Sequence, residues 1–258
     1  MSDNLHAPDG YSQVQVIARS ERGEILGARD SSGQDVAIRL FPASVTPGES
    51  ESFLREARGG VRLQHPHIVR SIATGLHHGR HYLVMERVDG PSLGQHVVER
   101  GPLNELDAVT LLSQIAQALG YAWRVGVAHR DVRPINVLLA PARLGVAEPF
   151  CAKLSNFGLS RLRQADDARR SHSRGFVESD DLRGLAETVC WALTPSQLER
   201  RGSVYSSAAS TLRMERVSGK TMQLLSQMLD EGHQPPPNWS QVVEFARQLP
   251  GPRSEPVV

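Results

Sequence analysis

His129-Arg130-Asp131-Val132-Arg133-Pro134-Ile135-Asn136-Val137-Leu138-Leu139 is the stretch on which the reading of the whole chain turns. It sets an acid, a cation and an amide on a short loop between an amphipathic segment and an apolar strand. Asp131 can accept a proton, Arg133 can hold an anionic oxygen, and Asn136 can ligate a hard cation. That set suits phosphoryl transfer, where catalysis is mostly positioning and charge neutralisation. Immediately upstream, Leu103 to Trp123 carries Val109, Leu112, Ile115, Leu119 and Trp123 on one stripe, the signature of a buried helix face. Downstream, Ala152 to Leu159 reads as a short strand and turn.

Further out, Glu86 to Pro91 holds Asp-Gly-Pro and marks a boundary. Before it the pattern is mostly strand-like. Val14 and Val16 alternate with Gln13 and Gln15. Asp30-Ser31-Ser32-Gly33 reads as a hairpin turn, followed by a strand in which Val36, Ile38 and Leu40 share one face and Ala37 and Arg39 the other. Glu49 to Leu63 has helical spacing, although Gly59-Gly60 weakens its second half by roughly 1 kcal/mol per glycine. His65 to Val69 ends that helix and begins a strand, and Ile72–Leu76 with His81–Met85 forms a hairpin around His78-Gly79. The histidines at 65, 67, 77, 78 and 81 follow no metal-site template and are read as turn and surface residues. Past the boundary the chain becomes mostly helical, with Asp181–Leu193, Met222–Leu229 and Gln241–Leu249 as further helices and Pro235-Pro236-Pro237 as a break.

Composition narrows the function classes. The 258 residues are enough for one large domain or two small ones, and 40% apolar with 22% charged residues is ordinary for a soluble globular protein. A net charge of +1 gives no global field that would select nucleic acid or an anionic membrane. Cys151 and Cys190 have no CxxC spacing and fit buried thiols in a reducing compartment better than a disulfide scaffold. Met1 to Gly10 has no apolar signal core, and the most apolar window, Ala108 to Val127, is broken by Ser113, Gln114, Gln117 and Arg124. The expectation is a cytoplasmic protein with no membrane span and no nucleic-acid partner.

The stretch from His129 to Asn136 closely resembles the catalytic loop of the eukaryotic-type protein kinases, HRDxKPxN, with Arg133 where the family carries Lys. The element order is similar to that family's two-lobed layout, and the resemblance covers about residues 11–249. It implies an α+β kinase-like fold. Residues 1–10 would be a flexible tail, 11–86 a strand-rich N-lobe with one helix C, 87–91 the hinge, 92–249 a mainly helical C-lobe, and 250–258 a second tail.

Residue by residue, the resemblance also implies a site. Gly23 and Ile25 fall in the family's glycine-rich loop, with Ala18 and Ser20 where glycines would stand. Val36-Ala37-Ile38-Arg39 resembles VAIK with Arg for Lys, and Glu56 falls where the helix-C glutamate pairs with that cation. Arginine keeps the charge but is forked and bulkier, so a retained ion pair with poor phosphate positioning is expected. Met85 resembles the gatekeeper; Glu86 and Val88 fall at hinge positions whose backbone would bond adenine, with Leu138 below the purine and Ala37 and Ile25 above it. Asp131 and Arg133 match the catalytic positions, and Asn136 and Asn156 the two metal-ligand positions. In Ser155-Asn156-Phe157-Gly158, Asn156 stands where the family has the aspartate of DFG. Magnesium relies on carboxylates to offset its dehydration, so two carboxamides imply weak or absent Mg2+ and weak ATP binding at most.

Asp181 resembles the helix-F aspartate that steadies the catalytic loop. Nothing between Asn156 and Asp181 resembles APE, and the arginine that pairs with its glutamate would fall near Pro236; losing both sides of such a pair can be nearly neutral for the fold. Ser171 and Ser173, among Arg161, Arg163, Arg169, Arg170 and Arg174, are read as a solvated loop, with a phosphorylation site or a dock for an acidic partner as the other reading. The functional expectation is a pseudokinase that regulates or scaffolds protein partners in signalling. The alternative is a low-activity ATP-dependent Ser/Thr protein kinase that uses Asp131 as base and transfers the γ-phosphate to a protein hydroxyl.

Overall fold

A computed structural model describes residues 7–20, 23–42, 57, 59–142, 145, 148–157, 178–195, 217–229 and 237–248. Glu56, Gly158, Ser171, Ser173 and Pro236, on which expectations were placed, lie outside the described residues. The chain divides into two compact units, Met1–Val88 with Asn156–His172, and Asp89–Ser155 with Ser173–Val258.

In the first unit the period-two pattern builds a sheet. Strands β1 (Ser12–Ser20), β2 (Gly23–Arg29), β3 (Asp35–Leu40), β4 (Ser71–His77) and β5 (Arg80–Glu86) pair antiparallel in the order β1-β2-β3-β5-β4. Val36, Ile38 and Leu40 do share one face of β3, where they form a core with Leu26, Ala28 and Val84. The β2–β3 turn is built as its residues dictate: Ser32 N–H (2.8 Å) and Gln34 N–H (2.9 Å) donate to the Asp30 carboxylate, and Gly33 takes φ +82°.

Two local expectations change. The alternation read from Gln13 to Val16 is interrupted, because β1 shifts register between Ser12 and Gln15 and again between Val16 and Ala18. Val14 packs on the core, whereas Val16 is left 37% exposed. The strand expected from His65–Val69 begins only at Ser71; His67 N–H turns back to His65 Nδ1 (3.2 Å) and Ile68 N–H to the His65 carbonyl (3.1 Å). As expected, Ala57 and residues 59–61 are helical, and Gly60 has a packing reason. A Cβ there would lie 2.9 Å from the Phe157 carbonyl oxygen.

The second unit is organised on α2. It contains α1 (Leu93–Arg100), α2 (Glu105–Arg124), the hairpin of β6 (Val137–Pro141) and β7 (Phe150–Leu154), α3 (Glu178–Leu193), α4 (Gly219–Leu229) and α5 (Trp239–Gln248). Val109, Leu112, Ile115 and Leu119 are buried, and α2 packs on α5, α3 and β7. Gln114, read as a break in the apolar window, is buried as well. Its amide accepts from Ala152 N–H (2.6 Å) and donates to the Phe150 carbonyl (3.2 Å) and to Glu148 (2.7 Å), so its polarity is satisfied. Both cysteines are free and buried, and burial, with the Glu187 charge adding to it, pushes the Cys190 thiol up to about 12. Among the described residues no helix is long and apolar enough to cross a membrane, and no group of three or more His, Cys, Asp or Glu is arranged to hold a metal ion.

Candidate functional site

The loop between α2 and β6 hangs from a buried carboxylate. Asp181, on the first turn of α3 and 1% exposed, accepts from His129 N–H (2.8 Å), Arg130 N–H (2.7 Å) and the Trp123 indole (2.9 Å). Trp123 is thus only half-buried at the end of its apolar stripe, with its polar edge aimed at the loop. Arg130 takes φ +64°, a left-handed conformation that costs of order 1–3 kcal/mol unless its surroundings enforce it, and the two amide bonds to Asp181 bracket that turn. The imidazole of His129 fixes the other side. Its Nδ1 accepts from Asp131 N–H (3.2 Å), so Nε2 carries the proton donated to the Ser155 carbonyl (2.8 Å). The sequence named His129 and Asp181 as loop and helix residues; the Trp123 and Ser155 contributions had no sequence signal, since both act through contacts distant along the chain.

Held in this way, the loop gathers three of the expected site residues. Asn136 closes a one-turn 3-10 helix, Pro134–Asn136, and is 4% exposed. Its amide nitrogen donates to the Asp131 carboxylate (2.7 Å) and to the Asp131 backbone carbonyl (2.7 Å). Arg133 Nε lies 3.1 Å from the other carboxylate oxygen of Asp131. The acid is therefore oriented by an amide, balanced by a guanidinium and still 21% exposed, a state in which it can accept a proton from a group brought against it. Leu138, on β6, is half-buried and pairs across the hairpin with Lys153.

The remaining site residues belong to the first unit. Arg39 Nη1 donates to Asn156 Oδ1 (2.7 Å), and its guanidinium stacks 4.9 Å from the centre of the Phe41 ring. Asn156 takes φ +69°, which asparagine tolerates better than most residues. Ile25 lies opposite Arg39, and Ala37 opposite Gly27 and Met85, so these positions sit side by side on neighbouring strands. Glu86 N–H donates to the Arg70 carbonyl (2.9 Å), and its carboxylate accepts from Arg70 N–H (3.2 Å). Val88 is half-buried just beyond β5. Gly23 takes φ +110°, and a Cβ there would meet the Leu40 carbonyl oxygen at 2.0 Å. Close approach to the end of β3 therefore demands this glycine, whatever else the loop does.

An antiparallel five-stranded sheet preceding a helical unit, with an acid-bearing loop hung from a buried helix aspartate, defines a protein-kinase fold. Residues 11–178 match the protein kinase domain family, and the chain belongs to that family. Its relatives include the serine/threonine-protein kinase PkaA of Streptomyces coelicolor, 32% identical over 194 residues that cover 71% of this chain and 35% of PkaA. PknB of Mycobacterium tuberculosis is 30% identical over 168 residues, 62% of this chain and 26% of PknB. The chain thus spans about a third or less of these curated relatives. The crystal structure of the Mycobacterium tuberculosis PknI kinase domain shares the fold, with a TM-score of 0.72 and 23% identity over 93% of this chain and 94% of that one.

Proposed function

We propose that this domain is a pseudokinase, binding magnesium-ATP weakly or not at all and acting through protein partners in signalling. The observation that carries the reading is the Arg39–Asn156 hydrogen bond of 2.7 Å. At the position where the resemblance puts a metal-holding aspartate there is a neutral amide, and its oxygen is already engaged by a cation. Asn136 in turn uses its amide hydrogens on Asp131. These donors do not fit Mg2+, which needs anionic oxygen to offset dehydration. Each 1.4 kcal/mol lost from transition-state stabilisation is about tenfold in rate, so a few such losses leave negligible turnover. On this reading residues 11–86 and 92–249 are the lobes and 87–91 the hinge, and the buried free thiols support a cytoplasmic setting.

A second reading, a low-activity Ser/Thr protein kinase, is favoured by one feature: Asp131 is kept, oriented by Asn136 and carried on a fully anchored loop. Thermal-shift titration with ATP, with and without magnesium, followed by radiolabel transfer to a protein substrate, separates the two. The expected result is no magnesium-dependent shift and no transfer. Brisk labelling that disappears in Asp131→Asn would establish the second reading instead.

A further inference from the structure

In the middle of β2 stands a residue with no side chain, and another part of the chain covers it. Gly27 is buried although its Cα carries only hydrogen. It pairs with Gln15 on one side and Ala37 on the other, and Ala37 pairs with Met85, so four strands contribute to one strip. Ile25, two residues away along β2, stands on the same face. A glycine in a strand interior often marks a place where a ligand or another group comes close. Here that group is Arg87. A Cβ on Gly27 would lie 2.8 Å from Arg87 Nη1, 3.3 Å from Gln15 Nε2 and 3.3 Å from Ile17 Cδ1.

The place of Arg87 in the chain gives this contact a consequence. It lies one residue beyond β5, between Glu86 and Val88, the two positions whose backbone the resemblance gives to adenine. The same resemblance sets the purine against Ile25 and Ala37, on the face that Arg87 covers at its Gly27 end. The guanidinium leaves no room for a ring beneath it. Measured from the Gly27 Cα, Nη1 is at most one carbon–carbon bond, about 1.5 Å, beyond that 2.8 Å contact. A ring placed between them needs two contact distances, roughly 7 Å. Arg87 therefore covers the strip and does not stack across a ligand lying on it. Gln15 and Ile17 are exposed and Arg87 is half-buried, so the guanidinium can leave the strip for water while its stem stays at the surface.

We propose that the Arg87 side chain is a built-in cover on this strip, lowering its affinity for any adenine compound whether or not metal is present. A purine must displace it first, so the apparent affinity is reduced in proportion to the fraction of molecules in which Arg87 has swung away. The proposal rests on the reading of weak magnesium-ATP binding and adds a cause that involves neither phosphate nor cation. It makes no use of Arg39, of Asn156 or of the stretch around Gly23.

The test titrates adenosine, which carries no phosphate to hold magnesium, into the whole chain and follows binding by saturation-transfer NMR, a method that reads weak affinities. Arg87→Ala is expected to bind adenosine about three- to tenfold more tightly than the wild type, as removal of a cover that is closed most of the time would give. Gly27→Ala is the independent variant. Its methyl meets Arg87 Nη1 at 2.8 Å and must push that flexible end aside, so a smaller gain of about twofold is expected. Added to Arg87→Ala, it should bring no further gain, because its effect runs through the side chain already removed. Arg29→Ala, at an exposed cation on the same strand, should leave the affinity unchanged, and uridine should gain from none of these variants. Arg87 stands outside the buried core, so its variant should melt within a few degrees of the wild type. No gain or a loss in Arg87→Ala would overturn the proposal, as would a Gly27→Ala gain that persists without Arg87, or no adenosine binding by any of the proteins. Phosphotransfer and the magnesium-dependent shift are read separately: their presence with the Arg87→Ala gain sinks only the pseudokinase reading, and their absence without that gain sinks only the cover.

Discussion

Asp181 shows how much one buried charge can decide. Three donors converge on its two oxygens, and all three come from the segment that carries or precedes the loop. Asp181→Asn keeps the shape but turns an acceptor into a donor facing N–H groups. The expected cost is about 2–4 kcal/mol, read from urea unfolding as a lower midpoint at unchanged m-value. Gly60→Ala is a second test at this scale, because two effects have opposite signs. Helix propensity alone would make alanine stabilising by about 1 kcal/mol. The Phe157 carbonyl 2.9 Å from the added methyl predicts destabilisation by about 1–3 kcal/mol instead, and thermal melting decides between them. Residue types and spacing identified Asp131 as a position of interest, and the resemblance added Arg39 and Asp181. Neither could show that Arg39 meets Asn156, since those residues lie 117 positions apart and periodicity carries only local information.

Among the elements, those with strong periodicity were the legible ones. The stripe of α2, the β4–β5 hairpin and the alternating face of β3 all follow from apolar spacing. The register shifts in β1 do not, because a bulge changes which side chain points inward without changing the sequence pattern. The start of α1 was missed although a local signal was present: Ser92 and Gln95 form a capping box, with Gln95 N–H donating to Ser92 Oγ (3.1 Å) and Ser92 N–H to Gln95 Oε1 (2.9 Å). A longer-range device ties α2 to α4. Glu105 accepts from Ser218 N–H (3.0 Å), Ser218 Oγ (2.5 Å) and Thr221 Oγ1 (2.5 Å). Burial works to raise its carboxyl, but these donors outweigh it and hold the group below its ordinary value. A depressed folded-state value contributes stability above the unfolded value, near 4.3, and loses it as pH falls through the folded one. Glu105→Gln should therefore be less stable than wild type at pH 7 by about 1 kcal/mol, a figure discounted for solvent screening, and the gap should close on acidification below about pH 4. A gap that is independent of pH would mean that shape, and not charge, makes the tie.

For the molecule as a whole, the order of elements and one loop were enough to expect a kinase fold, while the proposed weak binding of magnesium-ATP turns on charge at a few positions. The double variant Arg39→Lys/Asn156→Asp returns the point charge and the carboxylate that the resemblance associates with phosphate and metal. If the site is eroded and otherwise intact, that variant should gain magnesium-dependent ATP binding. At a ligand concentration about ten times the dissociation constant, the added stability is about 1.4 kcal/mol, or a rise in melting temperature of about 3–6 °C. The readout must be the difference between melts with and without magnesium at fixed ATP. Asn156→Asp alone would place a carboxylate where the amide oxygen now lies 2.7 Å from Arg39, and so could alter the melting temperature with no nucleotide present. A wild-type chain that already shows the full magnesium-dependent rise would mean that carboxamides suffice here, and the charge argument would fall. A double variant that gains nothing would move the cause of any weak binding away from these two positions, to the stretch around Gly23 where, by the resemblance, Ala18 and Ser20 stand in place of glycine.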